Sequence, residues 1–218
     1  IDLIHKNVSF KVFEQDTWFP YLRISNSYNR TFALTFELGF VRKLCSNGVI
    51  FDKKTVKLKY NHSKNQKPVT IVKDISRLKQ LEQEFKDYML NLKRFYIDPK
   101  HVFPLLCKCL QLKFEFLKNP DSPFYESKLK KLHLFREFTE LKAKQYFSRE
   151  GDNAYAAFNV ITDIVSNQNY YHNLSNFTMS PSRNYRMVSE WMREFVESAE
   201  RRDFRMEDYL KNYLNGNK

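Results

Sequence analysis

The sequence predicts an α+β protein in which an N-terminal antiparallel β-meander sheet is followed by a helical C-terminal region. Apolar residues recur at every second position in segments between residues 8 and 72, and at every third or fourth position from residue 74 onward. Strands and helices that are segregated along the chain are typical of this class. We therefore expect a sheet region over residues 1–73 and a helical region over residues 74–218 that packs on it, together forming one composite domain.

The predicted strands rest on alternation and on turn residues. The segment VSFKVF at residues 8–13 alternates in polarity, and residues 21–41 predict a hairpin with the turn residues SNSYN between its arms. The second arm is apolar at every second position, which indicates a half-buried strand. Its apolar positions are Phe32, Leu34, Phe36, Leu38 and Phe40. Two shorter strands are predicted in VIF at residues 49–51 and TVKLKY at residues 55–60.

The helical region is predicted from periodicity, caps and breakers. A long amphipathic helix covers residues 74–95. Asp98 is a candidate N-cap of the next helix, with Pro99 in its first turn. Gly151 and Asp152 are expected to end a long helix and to cap the following one. The remaining predicted helices cover residues 122–147, 153–167, 180–199 and 206–214.

The formal net charge of +12 is the strongest global feature. Such an excess raises the local concentration of polyanions, which favours nucleic acid or an acidic protein as a partner. The three cysteines, Cys45, Cys107 and Cys109, form no paired pattern typical of disulfides or zinc, which favours a reducing, cytoplasmic location. No apolar run reaches about 18 residues, so neither a membrane span nor a membrane partner is expected.

The segment LGFVRKLCSNGVIF at residues 38–51 combines turn residues with a cysteine. Asn47 and Gly48 tolerate positive φ, as a type I′ hairpin turn requires. Gly39 inside a strand indicates a bulge or a close backbone approach. A nucleophilic Cys45 would need a base within reach, and none of the five histidines forms a recognisable motif with it. A structural role for Cys45 is favoured, because free cysteines commonly pack as small hydrophobes.

Residues 26–51 also carry a family resemblance. An Asn-Ser start, an alternating strand, a Gly-Phe-x-Arg step and a Cys-x-Asn-Gly end resemble the signature of phage- and plasmid-borne proteins known as domain of unknown function 932. The matching residues are Asn26, Ser27, Gly39, Phe40, Arg42, Cys45, Asn47 and Gly48. The segment AYAAFNVITDIVSN at residues 154–167 is similar to a helix in the C-terminal half of such proteins. The resemblance implies a mobile-element origin and brings no established activity or catalytic residues.

The sharpest candidate site is a lysine segment, residues 53–73, which contains no acidic residue. Its lysines are Lys53, Lys54, Lys57, Lys59, Lys64, Lys67 and Lys73, and Arg42 is a further candidate nucleic-acid-binding residue. Lys57 and Lys59 share the predicted outward face of one strand, and such a face can follow a phosphate backbone. Candidates for base stacking are Tyr21, Tyr28 and Tyr60. The alternative is that the lysines protect an edge strand against aggregation.

Two further sets of basic residues lie on predicted helices. The first has few acidic neighbours, so it would extend a basic surface. Its members are Lys128, Lys130, Lys131, Lys142 and Lys144. The second alternates with acidic residues, which is typical of a solvated helix face with i,i+4 ion pairs. Its members are Arg183, Arg186, Arg193, Arg201, Arg202 and Arg205.

Enzyme signatures are missing from the sequence, which has no Gly-rich phosphate loop, no HExxH, no GxSxG and no carboxylates at metal-binding spacing. No cofactor or metal is predicted. The favoured hypothesis is a nucleic-acid-binding accessory protein of a mobile element that supports replication or recombination by binding or annealing single-stranded DNA. The alternative is an interaction module or effector that binds an acidic host protein through a basic surface. An unrecognised enzyme is a third hypothesis, and a homo-oligomer is compatible with all three.

Overall fold

The computed structural model describes residues 2–4, 7–14, 16–25, 34–42, 48–50, 57–60, 75–166 and 181–214. Over these residues, six strands are followed by six α-helices, so the predicted α+β class is confirmed. The chain divides into two compact units, Ile1–Leu90 and Asn91–Lys218. The division falls inside the first helix, whereas the predicted change from sheet to helical region at residues 73 and 74 lies outside the described residues.

The first unit contains an antiparallel sheet that is four strands wide. In chain order its strands are β1 (Asp2–Ile4), β2 (Phe10–Phe13), β3 (Asp16–Ser25), β4 (Leu34–Arg42), β5 (Gly48–Ile50) and β6 (Lys57–Tyr60). β3 and β4 form the central hairpin. Both β1 and β2 pair with β3, and both β5 and β6 pair with β4. The predicted meander is therefore observed, and each outer position of the sheet is shared by two short strands.

The sheet is regular at Gly39, for which the sequence indicated either a bulge or a close backbone approach. Pairing of β3 with β4 continues without interruption through Gly39, which lies opposite the buried Tyr21. The bulge interpretation is therefore wrong, because both neighbouring strands keep their register at this glycine. Among the described strands, β2 is irregular, because its register with β3 shifts between Lys11 and Phe13.

An aromatic cluster forms the core of the first unit. Phe10 of β2, Trp18 of β3 and Phe40 of β4 are buried and contact Phe85 of α1 (Ile75–Arg94) with ring centroids 4.8 to 6.0 Å apart. Edge-to-face and tilted contacts of this kind add to the stabilisation from burial. The predicted inward facing of the alternating residues in the second hairpin arm is confirmed at Phe40, which is 1% exposed.

The second unit is helical and is built around one buried helix. Its helices are α2 (Val102–Cys109), α3 (Tyr125–Glu150), α4 (Ala154–Ser166), α5 (Pro181–Ala199) and α6 (Met206–Leu214). Every residue of α4 from position 154 to 165 is buried, and the helix packs against α3 and α5. A helix that is apolar on nearly all sides must be covered on all of them. None of the described helices has the length and apolar character needed to cross a membrane.

The junction of α3 and α4 corrects one predicted cap. Gly151 ends α3 with a φ of 82°, as predicted. The prediction that Asp152 caps α4 is wrong, because Asn153 does so instead. Its Oδ1 accepts a hydrogen bond from the Ala156 N–H at 3.0 Å, and its Nδ2 donates to the Glu150 carbonyl at 2.6 Å. Only a side chain directly before the first turn reaches the unpaired N–H groups there, and Asp152 lies one position too early.

Candidate functional site

Two residues of the lysine segment lie in the described structure, both on β6. Lys57 lies opposite Glu37 of β4, and Lys59 lies opposite Thr35. Because alternate residues of a strand share one face, the two lysines occupy positions on the same face of the sheet, and Leu58 occupies a position on the other. Among the described strands, β6 pairs with β4 alone, which places it at an edge. An edge position is required by the edge-protection interpretation and is compatible with the nucleic-acid interpretation.

The other members of the lysine segment lie outside the described residues. They are Lys53, Lys54, Lys64, Lys67 and Lys73. The interpretations of Cys45, of Asn47 in the hairpin turn and of Tyr28 as a stacking residue also concern positions outside the described ranges.

Arg42 lies inside the sheet unit and not on its surface. Its side chain is 6% exposed and forms an ion pair through Nε with Oδ1 of Asp16, whose side chain is 4% exposed. The two residues share a face of the sheet because Arg42 lies opposite Trp18, two positions after Asp16. A buried guanidinium that is held by a carboxylate has to break that pair to reach a phosphate. Arg42 is therefore not part of the candidate nucleic-acid surface.

Tyr21 is not available for base stacking. Its side chain is 5% exposed, so its ring faces are covered by protein. The expectation that it stacks on bases is wrong, because Tyr21 and Trp18 lie on opposite faces of β3 and both are buried. A base can stack only on a ring face that is exposed to solvent.

The α3 helix presents part of the predicted basic surface. Lys128, Lys130 and Lys144 are exposed. Lys142 differs, because its Nζ lies 2.7 Å from Oδ2 of the buried Asp163 on α4. Lys142 thus compensates a buried carboxylate in the helical core, and the exposed basic positions of α3 lie on either side of it.

The same helix exposes two leucines one heptad apart. Leu134 is 45% exposed and Leu141 is 54% exposed. Residues seven apart lie on one face of an α-helix, so the two leucines share a face of α3. Their spacing is also that of a core-facing stripe, so the sequence pattern does not mark these leucines as exposed.

The described cysteines are structural. Cys107 and Cys109 are both buried. Burial raises the pKa of the Cys107 thiol to about 12, and burial together with the nearby Glu194 carboxylate raises the pKa of Cys109 well above its usual value. Neither thiol is a thiolate near neutral pH, so neither is an activated nucleophile. Within the described ranges, no three His, Cys, Asp or Glu side chains lie close enough together to hold a metal ion.

A cavity of about 340 Å³ lies between α2, α5 and α6 of the second unit. Glu190, Trp191 and Glu194 of α5 line it at helical spacing, Lys108 lines it from the end of α2, and Tyr213 lines it from α6. The cavity could not be found from sequence spacing, because its walls combine the end of α2 with α5 and α6, which lie far from α2 in the chain. Glu190 and Glu194 were interpreted from the sequence as part of a solvated face with neighbouring arginines.

Lys108, Tyr209 and Glu194 form one connected polar group beside the cavity. Lys108 Nζ lies 3.8 Å from the centroid of the Tyr209 ring and 4.0 Å from Glu194 Oε1. The Tyr209 hydroxyl donates a hydrogen bond to Glu194 Oε2. The ammonium group is thus held by an aromatic face and a carboxylate, two types of group that stabilise an organic cation.

Burial sets the protonation of the phenols around the cavity. It raises the pKa of Tyr209, and the hydrogen bond to Glu194 raises that pKa further. The indole N–H of Trp191 lies beside this hydroxyl and lowers its pKa. Burial also raises the pKa of Tyr213. Both phenols therefore stay protonated near neutral pH, and Tyr209 keeps its proton as donor to Glu194.

The family comparison accounts for most of the chain. The model of the family described as Domain of unknown function (DUF932) matches residues 4–202. No curated protein and no solved structure matches the chain significantly. The match includes the hairpin and the α4 segment on which the resemblance was based, so the predicted family is confirmed. The chain therefore belongs to the DUF932 family of proteins.

Proposed function

We propose that the protein binds nucleic acid, with single-stranded DNA as the favoured ligand, and acts as an accessory protein in replication or recombination of a mobile genetic element. The observation that carries the proposal is the lysine segment, which has seven lysines and no acidic residue in a chain of net charge +12. Lysines that neutralise phosphates release counterions, which gives affinity without a particular base sequence. The resemblance to phage- and plasmid-borne proteins supports the mobile-element setting.

Edge protection explains the lysine segment less well than nucleic-acid binding does. A charged residue or two on an edge strand is a common device against edge-to-edge aggregation. Here the edge strand β6 carries two lysines, and three more follow between residues 61 and 73 without any acid to balance them. Charge that continues beyond the strand favours an extended anionic ligand.

A cytoplasmic location follows from this proposal and agrees with the free, buried state of Cys107 and Cys109.

A second candidate function is binding of an acidic host protein, and the α3 surface favours it. Leu134 and Leu141 provide exposed apolar area, and the exposed Lys130 and Lys144 flank them in sequence. Apolar groups ringed by charge are typical of protein interfaces, where complementary charge steers the partner. Such binding would be tight and only weakly sensitive to salt if the leucines contributed most of the affinity.

Salt dependence separates the two functions. In fluorescence anisotropy with labelled oligonucleotides of roughly 20 nucleotides, we expect single-stranded DNA to bind more tightly than duplex. Between about 50 mM and about 200 mM salt, its affinity is expected to fall roughly 50- to 1,000-fold if four to seven lysines contact phosphates. No binding at low salt, or binding that does not change with salt, would contradict the proposal.

A further inference from the structure

We propose that a group of solvent-accessible aromatic residues at and before the start of α3 stacks on the bases of single-stranded nucleic acid. This aromatic patch consists of Phe114, Phe116, Phe124 and Tyr125 and lies within the second unit. The inference rests on the proposed function and adds a base-stacking site to it. Lysines that contact phosphates fix a strand in position but leave its bases without a partner.

The rings of the aromatic patch remain accessible to solvent. Phe124 is 66% exposed, and the other three residues are half-buried. A ring exposed to the extent of Phe124 has a face open to solvent, which stacking of a base requires. Single exposed apolar residues are common on protein surfaces, whereas a group of them is typical of a binding site.

Local hydrogen bonds fix the backbone that carries these rings. The Leu117 N–H donates to the Phe114 carbonyl at 3.0 Å, and the Tyr125 N–H donates to the Ser122 carbonyl at 2.9 Å. The ring centroid of Phe116 lies 6.4 Å from that of Phe114 and 6.1 Å from that of Tyr125. The rings are therefore held in place before a ligand binds, which reduces the conformational entropy lost on binding.

The aromatic composition of the patch favours nucleic acid as its occupant. Every base has a flat π face that stacks on an aromatic ring, whatever the base sequence. The exposed leucines of α3, Leu134 and Leu141, offer aliphatic area and therefore suit a protein partner better than a base. Because the chain has a net charge of +12, it also attracts a polyanionic strand.

The charge around the aromatic patch is close to balanced. Residues 113–130 carry four lysines and three acids, which are Lys113, Lys118, Lys128, Lys130, Glu115, Asp121 and Glu126. Glu115 Oε2 lies 2.6 Å from Lys118 Nζ. The Lys128 N–H donates to the Phe124 carbonyl at 3.0 Å, so this exposed lysine lies one helical turn from Phe124. We therefore expect the patch to contribute affinity by stacking more than by charge.

Fluorescence anisotropy at several salt concentrations tests the stacking contribution, with a labelled oligothymidine strand of roughly 20 nucleotides as the probe. Phe124→Leu keeps apolar area but removes the ring, and it is expected to weaken binding about fivefold or more at every salt concentration. The slope of log affinity against log salt is expected to stay the same, because no charge is altered. Tyr96→Leu is the matched control, since Tyr96 is 70% exposed and lies outside the aromatic patch, and it is expected to leave affinity unchanged.

A second measurement detects stacking directly. Phe124→Trp keeps an aromatic ring and is expected to retain affinity, and its emission is expected to fall on saturation with oligothymidine, because a stacked base quenches indole fluorescence. Tyr96→Trp places an indole at an exposed position outside the patch and is expected to show no such quenching. Trp18 and Trp191 are buried and give the same background in both variants.

Failure of this inference can be distinguished from failure of the proposed function. If the unaltered protein does not bind oligothymidine at low salt, both are overturned. If it binds but Phe124→Leu keeps full affinity, or if Tyr96→Leu weakens binding equally, only the stacking site is overturned and the lysine segment keeps its proposed role. Equal quenching in Phe124→Trp and Tyr96→Trp would also overturn the stacking site alone.

Discussion

Replacement of Phe40 by aspartate is expected to unfold the sheet unit, with a loss of about 4 kcal/mol or more in the free energy of unfolding. Phe40 is almost completely buried, and its ring centroid lies 4.8 Å from that of Phe10 and 5.3 Å from that of Phe85. The substitution removes these contacts and places an unpaired carboxylate in an apolar environment. Because domains are typically stable by only about 5–15 kcal/mol, a loss of this size removes most of the stability.

The two tryptophans allow this effect to be measured in one unit at a time. Trp18 lies in the core of the first unit and Trp191 lies in the second. In a Trp191→Phe background, urea titration followed by Trp18 fluorescence therefore reports on the sheet unit alone. Lys11→Asp, at an exposed position of β2, is the control and is expected to shift the midpoint little. An unchanged midpoint for Phe40→Asp would show that the assigned facing of β4 is incorrect.

Replacement of Asp16 by asparagine is expected to destabilise the sheet unit by about 3–5 kcal/mol. The shape of the side chain is retained, but the buried guanidinium of Arg42 loses its charged partner. Removing one charge of a buried ion pair costs far more than the net stabilisation that the pair contributes. The effect is expected in the same urea titration, with Trp18 as the reporter.

A double variant identifies the cause of this loss. In Asp16→Leu/Arg42→Met, both charges are replaced by apolar groups, and we expect most of the lost stability to be recovered. If Asp16→Asn lowers stability by less than about 1 kcal/mol, the pair behaves like a surface ion pair, and its assigned burial is contradicted. A double variant as unstable as Asp16→Asn would show that the loss does not come from the charge left on Arg42.

The burial of Phe40 and Arg42 also explains part of the family signature. Phe40 and Arg42 belong to the Gly-Phe-x-Arg step on which the resemblance was based, and both are buried in the first unit. Phe40 fills the aromatic core, and Arg42 pairs with Asp16 at the start of the neighbouring strand. The step therefore has a structural role at these two positions. Its presence identifies the fold and does not by itself indicate a reaction.

Helices with local signals were predicted almost to the residue. The predicted ranges 180–199 and 206–214 compare with the observed Pro181–Ala199 and Met206–Leu214. In the first of these, a proline marks the start and the apolar spacing persists to the end. Asp98 caps the turn before α2 as predicted, because its side chain accepts the Lys100 N–H only two residues away. Signals of this kind depend on a few neighbouring residues and not on the rest of the fold.

Features that depend on pairing between distant segments could not be predicted in this way. β3 was expected from Tyr21 but begins at Asp16, because Pro20 indicates a break in a strand. In the structure, Pro20 lies between residues 16–18, which pair with β2, and residues 21–23, which pair with β1. Its missing N–H therefore interrupts neither pairing. The ion pair of Asp16 depends on the same register, so sequence spacing alone did not indicate it.

The lysine segment and the cavity also differ in whether they depend on segments that are distant in the sequence. The lysine segment is continuous in sequence, so composition alone was enough to find it. The cavity combines residues near position 108, in the range 187–194 and at position 213, and its charge and aromatic lining exist only after three helices pack. A mixture of glutamate and arginine on α5 is typical of a solvated face. The charge pattern therefore did not indicate that two of these carboxylates line a cavity.

The most direct test of the central proposal is charge reversal in the lysine segment. Lys57, Lys59, Lys64 and Lys67 are replaced together by glutamate, and binding to a labelled single-stranded oligonucleotide is measured by fluorescence anisotropy at low salt. The matched control reverses four exposed lysines on the helical region that belong to neither candidate surface, Lys79, Lys113, Lys118 and Lys211. Both variants have the same net charge, so any difference between them depends on position.

We expect the lysine-segment variant to lose roughly 100-fold or more in affinity and the control to stay within about tenfold of the unaltered protein. Circular dichroism on both variants checks that they remain folded. That result would place the nucleic-acid contacts on the lysine segment. An equal loss in the two variants would show that binding follows net charge alone, and it would contradict the proposed function.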